Sequence, residues 1–413
     1  MFIPTLTQAK DIIDTFGSPV YVTDAAILKQ KANVMLNAFS DFNLKIFYAL
    51  KANYNPSLVR KIKEAGIYGI DAVSPNEIRL ALELGYQPEQ IIFTPSNPSD
   101  EEIQYAGEEG VLQNLGSLSE LQRFGKLFPS HNVSIRICPE IGAGESEKVT
   151  TGQVESKFGI ALEDLEGVKK ILSEFNLKLV GIHSHIGSGF YEAGVFRQSV
   201  EALCHIARDF ETVEFLDLGG GFGVQYHPDK PEIDLTAFAA AIREPIDQFN
   251  QDTGKNIEIR LEPGKFLVAR STVLLSKITT IKQKGGVTFV GLDSGFHNLI
   301  RSAMYGSYHH VVNLSKMQAS KISVQVVGNV CETCDVFNQN IQLGQPEEGD
   351  IVAILVAGGY GSSMSSNYNI RETVAEVMAD GDQILLTKKR QTYEEVMGGF
   401  VTSPSPSQGG VQN

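Results

Sequence analysis

The run Val213-Glu214-Phe215-Leu216-Asp217-Leu218-Gly219-Gly220-Gly221-Phe222-Gly223 passes from a short apolar stretch straight into four glycines within five positions. The first part has the length and side chains of a buried strand. Consecutive glycines let a backbone approach an anion and aim its N–H groups at it, whereas a tight turn needs only one or two. The same pattern recurs on both sides. Upstream lie Lys45–Ala49, Gly69–Val73, Ile91–Thr94, Val111–Asn114, Val133–Ile137 and Leu179–His183, and downstream lies Ile257–Leu261. Between them are amphipathic stretches such as Asn55–Ala65, Ser74–Glu83, Ser117–Phe128 and Leu235–Phe249, several opened by Ser, Asn or Asp in an N-cap position. Eight β/α units within about 220 residues predict a TIM (β/α)8 barrel.

After about residue 265 the texture changes to Val- and Ile-rich runs with glycine turns: 266–281, 287–292, 322–327, 351–356 and 383–388. These predict a second, mainly antiparallel β domain of barrel or sandwich type over 266–400. The expected organisation is a segment 1–25 whose Pro19–Thr23 strand joins that β domain, the barrel over 26–265, and a low-complexity, disordered tail over 401–413.

In such a barrel, reactive groups stand at the carboxyl ends of the strands. The first strand feeds into Leu50-Lys51-Ala52-Asn53, which reads equally as a surface lysine or as a partly desolvated Schiff-base lysine. The sixth ends in His183-Ser184-His185-Ile186-Gly187-Ser188-Gly189, with both histidines on one face of the strand. Two readings stand: an H-x-H metal pair of a barrel hydrolase, or an imidazole laid against a flat cofactor beside anion donors. The eighth ends in Glu262-Pro263-Gly264-Lys265, whose carboxylate suits a protonated ring nitrogen. Lysine, imidazole, glycine loop and carboxylate together specify pyridoxal 5'-phosphate more sharply than any one of them.

The 413 residues carry 35 Lys and Arg against 49 Asp and Glu, a formal charge of −14, which is the wrong balance for a nucleic-acid binder. No apolar run reaches the ~18 to 20 residues of a membrane helix, and the first residues lack a signal-peptide layout, so a soluble, cytoplasmic protein is expected. The 4 cysteines, Cys138, Cys204, Cys331 and Cys334, are too scattered for a disulfide framework, and the single C-x-x-C lacks the second pair of a structural zinc site. No metal is expected.

Further motifs follow in order: Thr151-Gly152, Ser156-Lys157-Phe158-Gly159-Ile160, His185-Ile186-Gly187-Ser188, Glu262-Pro263-Gly264, Ala303-Met304-Tyr305-Gly306-Ser307-Tyr308-His309-His310, and Met364–Arg371. With the Lys51 motif they span nearly the whole chain, which resembles the barrel-type (fold-type III) pyridoxal-phosphate decarboxylases of basic amino acids, most of all the diaminopimelate decarboxylases. The resemblance implies that Lys51 carries the cofactor as a Schiff base, with His185 stacked on its ring and Glu262 on its nitrogen. It further implies Gly221, Ser188, Gly264 and Tyr360 at the phosphate, and Asp71 and Arg136 near the cofactor. Cys331 is implied as the acid that protonates the carbanion, entering with Glu332 from the second subunit of a homodimer. Lys265, Arg301, Tyr305, Glu332 and Tyr360 would bind substrate. The implied reaction is decarboxylation of meso-diaminopimelate to L-lysine in lysine biosynthesis, with carboxynorspermidine as an alternative substrate. Three departures stand out: Lys265 where the family pattern reads E-P-G-R, Asn329 in the segment usually written G-P-x-C, and Ser302 and Glu372 where R-P is usual.

Overall fold

The computed structural model describes residues 1–141 and 156–400; the Thr151-Gly152 motif and the 401–413 tail fall outside them. Strand β1 (Val20–Asp24) precedes eight parallel strands that close into a barrel: β2 (Leu44–Ala49), β3 (Gly69–Ala72), β4 (Ile91–Phe93), β5 (Leu112–Leu115), β6 (Asn132–Arg136), β7 (Lys178–His183), β8 (Phe215–Asp217) and β9 (Glu258–Leu261). Their apolar residues are almost wholly buried, as expected of strands covered on both faces. Helices start where the sequence places caps. Ser74 Oγ accepts from Glu77 N–H and Ser117 Oγ from Glu120 N–H, while Pro56 and Pro75 occupy first-turn positions.

The second layer is a mainly antiparallel sheet of β10 (Thr272–Lys284), β11 (Val287–Leu292), β12 (Val311–Asn313), β13 (Lys321–Val327), β14 (Val336–Gly344), β15 (Ile351–Ile354), β16 (Ala375–Asp380) and β17 (Gln383–Lys388). β1 completes it, antiparallel to β10 and parallel to β16. Strand alternation serves two cores: Val20, Val22, Val273 and Leu275 pack with the barrel, and Tyr21 and Leu274 with the interior of the β layer.

Two expectations need correction. Residues 266–271 are not strand: Lys265–Val268 is a short helix followed by a 3-10 turn, and the strand starts at Thr272. Phe266, Leu267 and Val268 are all buried, so the segment carries no period that separates helix from strand. The N-terminal segment is also more than a strand. Leu6–Phe16 forms a helix opened by a reciprocal Thr5–Gln8 capping box.

Candidate active site

At the carboxyl ends of the barrel strands a cavity of about 400 Å3 opens, within the size range of small-ligand sites. Lys51, Arg136, His183, His185, Ser188, Gly221, Glu262, Gly264, Lys265 and Tyr360 all line it.

Lys51 sits on a single 3-10 turn, Leu50–Ala52, directly after β2. The turn is pinned to the β layer: Tyr360 N–H donates to Ala52 O (2.8 Å), Ser363 Oγ donates to the same oxygen (3.1 Å), and Asn53 Nδ2 donates to Gly358 O (3.0 Å). Lys51 Nζ donates to Oδ2 of fully buried Asp71 at 2.7 Å. Protein surrounds this lysine, yet 40% of its side chain is accessible because it faces the cavity. Burial works against its charge, but Asp71, with Tyr360 and Glu262, outweighs burial and holds the ammonium above the ordinary lysine range.

Opposite in character is a buried polar group. His183 Nε2 lies 3.0 Å from Glu262 Oε2, and one donor atom from each of His183, Asp217 and Glu262 falls within 4.8 Å of the others. Asp217 Oδ1 accepts from Gly219 N–H at 2.9 Å. Burial pushes Asp217 up to about 8, with Glu262 as the next cause, and pushes Glu262 up to about 8, with Asp71 next. Burial also drives His183 down to about 4, so its imidazole is neutral at ordinary pH. This trio has the spacing of a possible metal site, but His185, the second histidine of the H-x-H pair, is not a member of it. Glu262 Oε1 is buried and has no hydrogen-bond partner within the chain, a state that costs about 1 to 3 kcal/mol unless a donor arrives.

His185 takes a different partner from His183: its Nδ1 accepts from Gly220 N–H at 3.2 Å. The loops after β7 and β8 interlock, with Gly189 N–H donating to Gly221 O (2.7 Å) and Gly223 N–H to Phe190 O (2.9 Å). Phe190, Phe196, Phe222 and Phe238 prop them from below, with ring centroids 5.6 to 6.1 Å apart. Gly221 has φ +91°, and a Cβ there would strike the Gly187 carbonyl and lie 2.6 Å from Phe190. Its glycine is therefore a requirement of the close approach.

Arg136 spreads over the Phe158 ring at 4.6 Å. Lys265 and Arg301, both buried, share the Tyr226 ring, with Nζ 5.6 Å and the guanidinium carbon 5.1 Å from its centroid. Arg301 also reaches toward Tyr305 (5.8 Å) and donates to Ser307 Oγ (3.0 Å). Cys331 and Glu332 are not among the described residues lining the cavity. They stand exposed on the loop after β13, where Cys331 Sγ contacts Asn369 (3.4 Å to Nδ2) and Glu332 accepts from the Tyr368 hydroxyl.

Thr94, Ser96, Phe222 and Phe266 are among the lining residues that carried no assignment in the sequence. Thr94 and Ser96 follow β4 and were discoverable by the strand-end rule; Phe266, on the misread helix, and Phe222, hidden among glycines, gave no such signal.

The residues present fit pyridoxal phosphate: an amine facing the cavity, an unpartnered buried carboxyl oxygen suited to a ring N–H, and a glycine cradle that no Cβ can enter. Comparison with known proteins points the same way. The family model "pyridoxal-dependent decarboxylase, pyridoxal binding domain" matches residues 25–269. The diaminopimelate decarboxylase of Methanothermobacter thermautotrophicus is 37% identical over 402 residues, 95% of this chain and 94% of the relative. That of Escherichia coli K12 is 34% identical over 398 residues, 92% and 93% of the two chains. The crystal structure of diaminopimelate decarboxylase from Helicobacter pylori complexed with L-lysine superposes with a TM-score of 0.87 at 31% identity, covering 94% of this chain and 98% of that one.

Proposed function

Because the chain belongs to the pyridoxal-dependent decarboxylases, and within them to the diaminopimelate decarboxylase family, we propose that it decarboxylates meso-diaminopimelate to L-lysine with pyridoxal 5'-phosphate as cofactor. The observation that carries this is Lys51, paired with buried Asp71, facing the same cavity as Glu262, whose buried Oε1 has no partner in the chain. When bound, pyridoxal phosphate supplies an electron-accepting ring that delocalises the pair released as carbon dioxide leaves. The chain supplies the rest. Lys51 is the amine that attaches the cofactor, and Asp71 beside it accepts the Lys51 N–H and orients the group that must gain and lose a proton. Glu262 accepts the proton-bearing ring nitrogen, which makes the ring the better acceptor of electrons. His185 supplies the imidazole for stacking, and Ser188, Gly221, Gly264 and Tyr360 hold the phosphate, with Arg136 nearby.

Substrate choice follows from charge. Two cations, Lys265 and Arg301, meet at Tyr226, with Tyr305 beside Arg301. A distal carboxylate is held there, whereas the terminal ammonium of ornithine or carboxynorspermidine is repelled. Cys331 donates the proton to the carbon that lost its carboxylate. Its exposed place outside the described lining of the cavity supports a role, with Glu332, in the site of a second copy in a homodimer. An exposed thiol with this task belongs in the reducing cytoplasm.

Carbon dioxide release from meso-diaminopimelate, ornithine, arginine and carboxynorspermidine, with mass-spectrometric detection of products, tests the reading. Turnover is expected with the first, giving lysine. A yellow protein that leaves meso-diaminopimelate intact but turns over another of the four would move the substrate assignment to that compound, and a colourless protein would overturn the cofactor.

A further inference from the structure

Beside Glu262 stand two groups that the reaction just described does not use: His183, which also lines the cavity, and Asp217. His183 is 1% and Glu262 5% exposed at the side chain, and Asp217 is fully buried. The three reach one another from the ends of β7, β8 and the segment after β9, so the barrel register brings them together: His183 pairs with Asp217 along β7 and β8, and Asp217 with Arg260 along β8 and β9. Other charged groups that act on this trio are Lys51, Asp71, Arg136 and Arg260, while His183 in turn acts on His185.

A carboxyl group in a dry site has two ways to satisfy its oxygens. Protonated, it offers a hydroxyl; ionised, it only accepts. Which one holds is decided by the neighbour. If His183 carries its proton on Nε2, the 3.0 Å contact makes Glu262 Oε2 an acceptor. Where Glu262 is also ionised, the remaining oxygen, Oε1, accepts as well, and it is this oxygen that has no partner in the chain. A side-chain hydrogen bond from Asp217 favours the ionised form of Glu262, the member of the pair that lines the cavity, so that a proton kept by the pair sits on Asp217. We propose that His183 and Asp217 are positioning residues that keep Glu262 a proton acceptor toward the cavity, and so hold a ring nitrogen placed there in its protonated form. The inference rests on the cofactor reading above and adds to it the pair of residues that decide the direction of that hydrogen bond.

The experiment uses the full chain loaded with pyridoxal phosphate, and its apoprotein. In 15N-histidine-labelled protein, the His183 ring should be neutral with its proton on Nε2 in both states; a proton on Nδ1, or a doubly protonated ring near neutral pH, would overturn the inference without need of any variant. In His183→Leu, the cofactor should still load, but its long-wavelength absorbance band should titrate at a lower pH than in the parent. There kcat should fall about 10- to 100-fold, the scale of lost outer-shell support, with KM for meso-diaminopimelate within about twofold, because no substrate contact is removed. His183→Gln, which can present an N–H near the Nε2 position, should recover most of kcat and the parent titration. A His183→Leu enzyme with the parent's band and kcat sinks this inference alone, whereas a parent protein that never takes up the cofactor sinks the reading beneath it. If His183→Leu does not fold, the tautomer measurement and the His183→Gln titration still decide the question.

Discussion

On the barrel side, Lys51, Asp71, His183, Asp217 and Glu262 stand at strand ends and hold one another across a buried floor. On the β-layer side, Cys331 and Glu332 stand exposed on a loop and touch Asn369 and Tyr368. The loop is not loosely held. Asp335 is buried beneath it and accepts from Phe296 N–H (2.7 Å) and Val330 N–H (2.9 Å). A segment anchored from below that presents a thiol outward is built to be met by something else. On the function proposed above, the barrel side is the apparatus for binding and electron withdrawal, and the loop carries the acid that serves a second copy of the chain.

That contrast is broken or sharpened first by a pair of variants. Lys51→Ala should lower turnover by about a thousandfold or more, with loss of the absorbance of the covalently held cofactor. Cys331→Ala should lower it by about 100- to 10,000-fold, the usual contribution of a positioned acid, with the cofactor still bound. Mixed and allowed to exchange subunits, the two inactive proteins should regain about a quarter of parental activity, since half of a random mixture is heterodimer and each heterodimer has one intact site. Absence of recovery in a mixture shown to have exchanged would place Cys331 in its own chain's site.

The same contrast explains what the sequence disclosed. The eight barrel strands were legible because parallel strands buried on both faces leave unbroken apolar runs followed by a cap or a glycine, and Lys51, His185 and Glu262 were legible because they directly follow such runs. β14 escaped because Phe337-Asn338-Gln339-Asn340-Ile341 carries more amide than apolar side chains, and β16 because Glu376 and Asp380 interrupt it. Asn338 and Glu376 nevertheless sit at low exposure, satisfied by partners far along the chain: Asn338 Nδ2 donates to His309 O (3.2 Å), and Glu376 Oε2 accepts from Asn55 Nδ2 (3.0 Å). The division of labour between His183 and His185 was not legible either. Alternation gave them a common face, but their partners, Glu262 and Gly220, are 79 and 35 residues away and depend on barrel closure.

A smaller effect tests the barrel floor alone. Folding raises the proton affinity of Asp217 and Glu262 toward about 8 through burial. Stability from these groups is therefore full below the ordinary carboxyl range and is lost as pH rises through about 8. Glu77, pushed up to about 7 by burial, adds to this with the same sign. His183 works the other way, since burial lowers it from 6.5 to about 4 and its contribution grows as pH rises through that interval. Above 6.5 it is neutral folded or unfolded, and the carboxyls act unopposed. The apoprotein should lose stability between pH 6.5 and about 8, read as a fall in Tm over that interval. Asp217→Asn should flatten that slope; an unchanged slope would show that the floor does not hold the protons assigned to it.

The smallest expected effect concerns the side of the cavity where the two halves meet. Lys265 stands where the family pattern has arginine, and it shares the Tyr226 ring with Arg301. An ammonium is a compact charge that satisfies a carboxylate from one direction, while a guanidinium fork meets both oxygens at once. Arg301 is half satisfied within the chain, since it donates to Ser307 Oγ, while its Nε is buried without a partner. If these two cations grip the far carboxylate together, Lys265→Arg should lower KM for meso-diaminopimelate about three- to tenfold, by adding one hydrogen bond to a charged group, with kcat within about twofold. Ornithine, lacking that carboxylate, should bind no better. A KM for meso-diaminopimelate that does not move would put the far carboxylate out of reach of residue 265 and leave Arg301 as its holder. A KM that rises would mean that Tyr226 and the packed β-layer side of the cavity are cut to the length of lysine, so that here the barrel has adapted to its neighbour layer and not the reverse.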